Sequence, residues 1–455
     1  RSERRSRRYF RKNGTDEVKV KNKKQHKLTK RMKYLIILGD GMADEPIPAL
    51  GNKTPLQAAD TPTMDMLAAK GRCGLLYTVP EGYHPGSEIA HLSLLGYDVE
   101  KVYEGRGSLE AASMGVPILK NEMAMRVNLI CIEDGKIKNH SAGHITTEEA
   151  NELIQFLNKE LGNDDIQFYT GVSYRHLLKI KGGNKNLSCT PPHDVPGAEW
   201  KSVLVKPTTP DAKETADLLN DLIIKSQAIL ESHPINVKRK AEGKDMANSI
   251  WPWSPGYRPH MQTLLETYDF RNGAVISAVD LIKGIGTYAG LKVVEVEGAT
   301  GLYDTNYEGK AQAAIDALKE NDFVFLHIEA SDEAGHAGDP ELKKLTVQYL
   351  EDRVVKPIWE EVSKWTGDDQ VTIAILPDHP TFCRTKTHSS DPVPFLIYRP
   401  GSKPDKVQKY DEESVKEGAY GELYGNEFMN ALTHTSSFTV GYRKMKSALK
   451  KKWGS

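Results

Sequence analysis

Six side chains of the 455-residue sequence fall in short segments with the donor types and spacing of metal ligands. In "SDEAGHAGD", Asp332 and His336 lie four apart. One helical turn would set both on the same side, offering an oxygen and a nitrogen to a single ion. By itself the pair fits a capped turn equally well. "LPDHPTFCRTKTHSSD" adds Asp378 and His379 directly after an apolar run, with His388 further along. Adjacent residues in a non-helical turn need not face one ion, so Asp378 and His379 can serve one while His388 swings back to another. Asp40, in "ILGDGMAD", supplies a third carboxylate at the end of a buried run. Three carboxylates and three imidazoles gathered without cations would leave charge poorly compensated. The pattern therefore predicts a two-metal centre, which suits phosphoryl transfer because paired cations clamp the attacking and departing oxygens.

A nucleophile is available in "PGSEIAHLSLLGYD". A serine hydroxyl is weak near neutrality, but a metal lowers its pKa and the N–H groups of a helix N-terminus attract phosphate. Ser87 as a plain N-cap, with Pro85 and Gly86 shaping the turn, is the blander reading, and the two are compatible. His91 lies four residues on, within reach of a bound phosphate or leaving oxygen from the same face.

Taken together, "ILGDGMAD", "PGSEIAHLSLLGYD", "YEGRGSLEAASMG", "SAGHITTEEA", "DLIKGIG", "DEAGHAGD" and "DHPTFCRTKTHSSDPVPFLIY" resemble the archaeal-type cofactor-independent phosphoglycerate mutases, members of the alkaline phosphatase superfamily. The resemblance implies an α/β, alkaline-phosphatase-like sandwich with a mostly parallel central sheet and a smaller inserted α+β domain. It implies two divalent ions, commonly manganese, with magnesium or zinc as alternatives. By match of motif, Asp40, Ser87, Asp378 and His379 look like ligands of one ion, and Asp332, His336 and His388 like ligands of the other. Ser87 looks like the residue phosphorylated in the cycle, and His91 like a substrate or proton-transfer partner. The implied reaction interconverts 3-phosphoglycerate and 2-phosphoglycerate without bisphosphoglycerate. Two places depart from the family pattern: His144 stands where arginine is common, and "SIWPWSPGYRP" replaces a more aliphatic segment. Relatives with such departures have been proposed as homoserine kinases, so that transferase, or a metal-dependent phosphatase, is the alternative. A P-loop "GxxxxGK[ST]" is not recognisable in the chain.

The elements that must position these residues are legible as apolar runs. "KYLIILG", "DFVFLHI", "VTIAIL" and "PVPFLIY" read as buried strands separated by amphipathic helices such as "YEGKAQAAIDALKE", the alternation of a mostly parallel sheet covered on both faces. The chemistry-bearing residues follow strand ends, where open α/β sheets bind ligands. Between about 122 and 265 the character changes to strand–turn–strand around Asp134-Gly135 and capped helices such as "TTEEANELIQFLNKEL". The expected organisation is an extension over 1–31, a phosphatase-like domain over 32–121 and 266–455, and an inserted substrate-capping domain over 122–265. Phosphate and carboxylate groups need cations, and the candidates are Arg106, Arg126, Arg175, Arg258 and Lys310, with His144 beside the departure.

Composition narrows the partners. The net charge of −1 hides an asymmetry: residues 1–31 carry 14 Lys or Arg against 3 Asp or Glu, and the remainder 47 against 59. The basic segment, poor in apolar residues, reads as disordered or appended rather than as a nucleic-acid arm, and the final Gly-Ser as a cloning remnant. No apolar run approaches the roughly 18–20 residues that cross a bilayer. Four cysteines without CxxC spacing suggest neither thiolate zinc nor a disulfide framework, which points to a reducing cytoplasm. The expected partner is a small phosphorylated metabolite, with no nucleic acid and no membrane; the oligomeric state is not legible.

Overall fold

A computed structural model of the chain describes residues 32–433. The basic extension and the terminal Gly-Ser lie outside the described residues. Lys33–Gly39 is a strand because its run KYLIILG is buried on both faces and paired on both edges. Phe323–Ile328 flanks it in parallel on one side and Val371–Leu376 on the other. These three lie within an eight-stranded sheet that continues through Gly273–Ile276 to Lys292–Val293 on one side. On the other side come Val393–Tyr398, Arg72–Tyr77 and Gly421–Tyr424. Only Val393–Tyr398 runs against its neighbours, so the sheet is mostly parallel, as expected. Two apolar layers cover it: one gathers Leu35, Ile37, Leu326 and Ile375 with helix Tyr307–Glu320, the other Ile36, Leu38, Phe325 and Leu376 with helix Ser87–Leu94. The alternation of odd and even residues between the two layers is the period-two geometry of a strand.

Glu122–Glu133, Lys136–Asn139, Ile166–Val172, Arg175–Lys181 and Ser249–Tyr257 build a second, antiparallel sheet. Asp134 and Gly135 both take positive φ in the hairpin between the first two strands, the geometry Asp-Gly favours. Helix Thr147–Leu161, capped by Thr146, and helix Lys213–Leu230 supply much of its separate core. The segment "SIWPWSPGY" is an edge strand with Trp251 and Trp253 buried. The chain rejoins the first core at Met261 and Leu264.

Candidate metal centre

Parallel pairing brings the C-terminal ends of three adjacent strands together. Asp40 directly follows Lys33–Gly39, Asp378 follows Val371–Leu376, and Asp332 lies in helix Ala330–Ala337 after Phe323–Ile328. Gly41 lets the loops close: its φ is +60°, and a side chain there would meet the Asp332 backbone at 2.7 Å and Thr381 Oγ1 at 2.5 Å. Gly41 N–H donates to Asp378 Oδ1 at 3.1 Å. His388 returns by a short hairpin in which it pairs with Thr381.

Three histidines are held in one tautomer. His388 Nδ1–H donates to Pro85 O at 2.7 Å and His336 Nδ1–H to Lys386 O at 3.0 Å. Thr381 Oγ1–H donates to Asp332 Oδ1 at 2.5 Å, leaving its oxygen to accept from His379 Nδ1–H at 3.3 Å. Every Nε2 lone pair then turns inward, the orientation that anchored metal-ligating imidazoles adopt. His336 Nε2 and His388 Nε2 approach to 2.9 Å, a contact that a proton or cation must relieve. Asp332 faces both, with Oδ2 3.2 Å from His336 and Oδ1 3.3 Å from His388. His379 Nε2 lies 3.1 Å from Asp378 Oδ2, 3.8 Å from Asp40 Oδ1 and 3.2 Å from Ser87 Oγ.

Electrostatics favour cations here. Burial and the facing carboxylates push Asp40 well above the usual carboxylate range; burial also raises Asp378. Asp332 is the exception: burial opposes its charge, but the His336 and His388 hydrogen bonds hold it well below that range. His336 is raised to about 9, chiefly by its bond to Asp332, and burial presses His379 down to about 3. Asp40 Oδ1 and Asp378 Oδ2 are buried without a hydrogen-bond partner. Uncompensated buried ions cost several kcal/mol each, so orphan oxygens beside inward-turned lone pairs fit divalent cations. Among the described residues four groupings of ligand atoms meet within 4.8 Å: Asp40 with Asp378 and His379, and Asp332 with His379 and His388, fall on the expected ligands, and the other two are Asp40 with His91 and His327, and Asp332 with Glu329 and Glu333.

Ser87 is the first residue of helix Ser87–Leu94, and Gly86 is the N-cap. The capping reading is therefore corrected: Ser87 Oγ makes no cap bond and turns to His379. His91 is fully buried, with Nδ1–H donating to Ser87 O at 2.7 Å and Nδ1 3.4 Å from Asp378 Oδ2.

The candidate cations are not brought to one place. Arg106 lines a cavity of about 650 Å³ that flanks Ser87 through His84 and Glu88 and is bounded across the gap by Lys185, His193 and Trp253. Arg126 backs this cavity, its guanidinium 4.5 Å from the Trp253 ring centroid and Nε 3.2 Å from Glu110 Oε2. Arg175 lines a different cavity with Glu110 and Tyr169, and Arg258 a third with Ile118 and Tyr288. His144 is exposed in a positive-φ turn and lines none of the three. Lys310 is fully buried, donating to Thr300 O at 3.3 Å, and burial lowers it to about 8. In this geometry Arg175, Arg258, His144 and Lys310 do not line the cavity beside Ser87.

Several residues at the site escaped the sequence pattern. Lys343 is fully buried and ties the loops together, donating to Asp44 Oδ2 at 2.8 Å, Ala43 O at 3.0 Å and Thr381 O at 2.7 Å. His327 and Glu329 crowd Asp40. The one available signal was His327 interrupting the apolar run "DFVFLHI".

A family model described as 2,3-bisphosphoglycerate-independent phosphoglycerate mutase matches residues 68–236. The enzyme of that name from Methanosarcina acetivorans is 51% identical over 405 residues, covering 88% of this chain and 99% of its own. A solved structure from Pyrococcus horikoshii aligns with TM-score 0.75 and 32% identity, covering 88% of this chain and 96% of that one. The cofactor-independent phosphoglycerate mutase of Thermoplasma acidophilum aligns at 0.63 and 27%, over 88% and 98%. A mostly parallel α/β sheet with a serine and clustered carboxylates and imidazoles at its strand ends defines a metal-dependent phosphoryl-transfer fold. The chain belongs to the 2,3-bisphosphoglycerate-independent phosphoglycerate mutase family.

Proposed function

We infer that the protein interconverts 3-phosphoglycerate and 2-phosphoglycerate through a phosphoserine at Ser87. The observation that carries this is Ser87 Oγ at the start of a helix, 3.2 Å from His379 Nε2 and beside the orphan oxygens of Asp40 and Asp378. Asp40, Ser87, Asp378 and His379 would hold one divalent cation and Asp332, His336 and His388 the other, with Mn²⁺ as the proposed ion, since the donor set is oxygen with imidazole. Bound there, the cations would offset charge on the phosphoryl group and on the serine oxygen.

Ser87 Oγ forms the new P–O bond as the bond from phosphorus to the C3 oxygen breaks, and that oxygen ends with the proton the serine hydroxyl gave up. Glycerate then turns within the cleft. Its C2 oxygen takes the phosphoryl group and its proton returns to Ser87 Oγ, so atoms and charge balance without bisphosphoglycerate. The helix N-terminal N–H groups orient the phosphate. Arg106 and Lys185 face the cavity with charges suited to the substrate carboxylate. We propose that the 122–265 unit closes over this cavity and excludes water, since escape of glycerate or entry of water would turn transfer into hydrolysis. Free cysteines at 73, 131, 189 and 383 support a cytoplasmic setting, and among the described residues no helix is long and apolar enough to cross a membrane.

The test is a side-by-side assay with matched enzyme and Mn²⁺. The expected result is 2-phosphoglycerate from 3-phosphoglycerate with neither ATP nor 2,3-bisphosphoglycerate added. ATP-dependent phosphorylation of homoserine with no 2-phosphoglycerate would overturn the assignment and leave the metal ligands standing.

A further inference from the structure

His327 differs from the three histidines that turn Nε2 inward. It lies in strand Phe323–Ile328, fully buried, with Lys33–Gly39 on one side and Gly273–Ile276 on the other. Register pairs Ile276 with Leu326 and Leu38 with His327, so Ser277 and Asp40 fall on either side of it just past their strands. His327 Nε2 is 2.8 Å from Asp40 Oδ2, and Nδ1 is 3.0 Å from Ser277 Oγ. Ser277 Oγ also accepts from Val279 N–H at 3.0 Å. As a metal ligand Asp40 is ionised and only accepts, so Nε2 carries the proton; Nδ1 then accepts from the Ser277 hydroxyl, which completes its own valences by accepting from Val279.

We propose that Ser277 and His327 form a positioning relay for the metal centre: Val279 N–H to Ser277, Ser277 O–H to His327 Nδ1, and His327 Nε2–H to Asp40 Oδ2. The relay occupies one carboxylate oxygen and leaves Oδ1, which has no hydrogen-bond partner, aimed toward His379 at 3.8 Å. His327 is therefore not a ligand: its lone pair is engaged by Ser277. Glu329 Oε2, 3.3 Å from the same Nε2, gives Asp40 a reason to need fixing, because two carboxylates compete for one N–H. Outer partners of this type set the direction and basicity of the ligand they touch, and their loss weakens metal affinity by roughly 10- to 100-fold.

The inference rests on the two-cation reading above, and the experiment separates the two. Full-length protein is stripped with chelator and titrated with Mn²⁺, free ion being read from its EPR signal. Asp378→Asn and Asp332→Asn identify which of two binding steps belongs to which ligand group. His327→Leu is expected to weaken the Asp378-dependent step about 10- to 100-fold and leave the Asp332-dependent step unchanged. His327→Gln, whose amide N–H can reach Asp40, is expected to recover most of the loss. Ser277→Ala, one bond further away, is expected to weaken the same step by roughly 3- to 10-fold. Equal loss at both steps, no loss at either, or a glutamine variant as weak as leucine overturns the relay. If His327→Leu fails to fold by circular dichroism, the other two variants decide: selective weakening in Ser277→Ala with near-normal His327→Gln supports the relay, and an unchanged Ser277→Ala defeats it. Wild-type protein that binds fewer than two ions would instead defeat the two-cation reading, and the relay with it.

Discussion

Around Ser87, residues from four stretches of chain converge through buried hydrogen bonds and close ion contacts, whereas Arg175, Arg258 and His144 of the antiparallel unit line separate cavities or none of the three. The difference lies in how each set is placed. Asp40, Asp332 and Asp378 follow parallel strands locked side by side, so being next to a strand end suffices to bring them together. Arg126 and Arg175 sit on strands where the face alternates at every residue. Pairing sets Arg126 against Trp253, which explains the guanidinium over the indole, while Arg258 lies one residue past the same strand and belongs to another cavity.

The largest expected effect tests the convergent side. Ser87→Ala should lower turnover by on the order of 10⁴-fold or more, as loss of a covalent nucleophile does elsewhere. Its melting temperature should stay close to wild type, because the hydroxyl makes no cap bond. Brief incubation with substrate should place phosphate on Ser87 by mass analysis; a phosphorylated residue elsewhere would move the nucleophile.

Next is the distribution of cations. Arg106→Gln should reduce kcat/KM by roughly 10- to 100-fold, the worth of a charge-assisted contact, while Arg258→Gln should remain within about twofold of wild type. Equal losses in the two variants would erase the distinction between a cavity-facing and a remote arginine.

A smaller effect concerns the metal-free protein. His336 has a raised pKa, about 9 against an ordinary 6.5, so the stability it contributes is complete below about pH 6.5 and is lost as pH rises through 9. The melting temperature of chelator-treated protein should fall across that window, and Asp332→Asn should flatten the slope. Mn²⁺ should compete with the His336 proton and also flatten it. An identical slope in wild type and Asp332→Asn would show that Asp332 is not what holds the proton.

The sequence by itself determined which segments are strands, that acidic residues and imidazoles follow them, and that a helix opens at Ser87, because these are short-range consequences of burial period, glycine placement and turn chemistry. Charge in the sequence says nothing of which face a side chain shares, so it did not tell that Arg175, Arg258 and His144 lie off the cavity beside Ser87 in this structure, and the burial of Lys310 and His91 is decided by residues far along the chain. Only the tertiary structure decided that His388 returns against His379, that Lys343 bridges two loops from within the core, and that His327 turns its proton toward Asp40. Each depends on strand order and register across the sheet, and register is fixed by packing among segments some 300 residues apart rather than by the residues next in line.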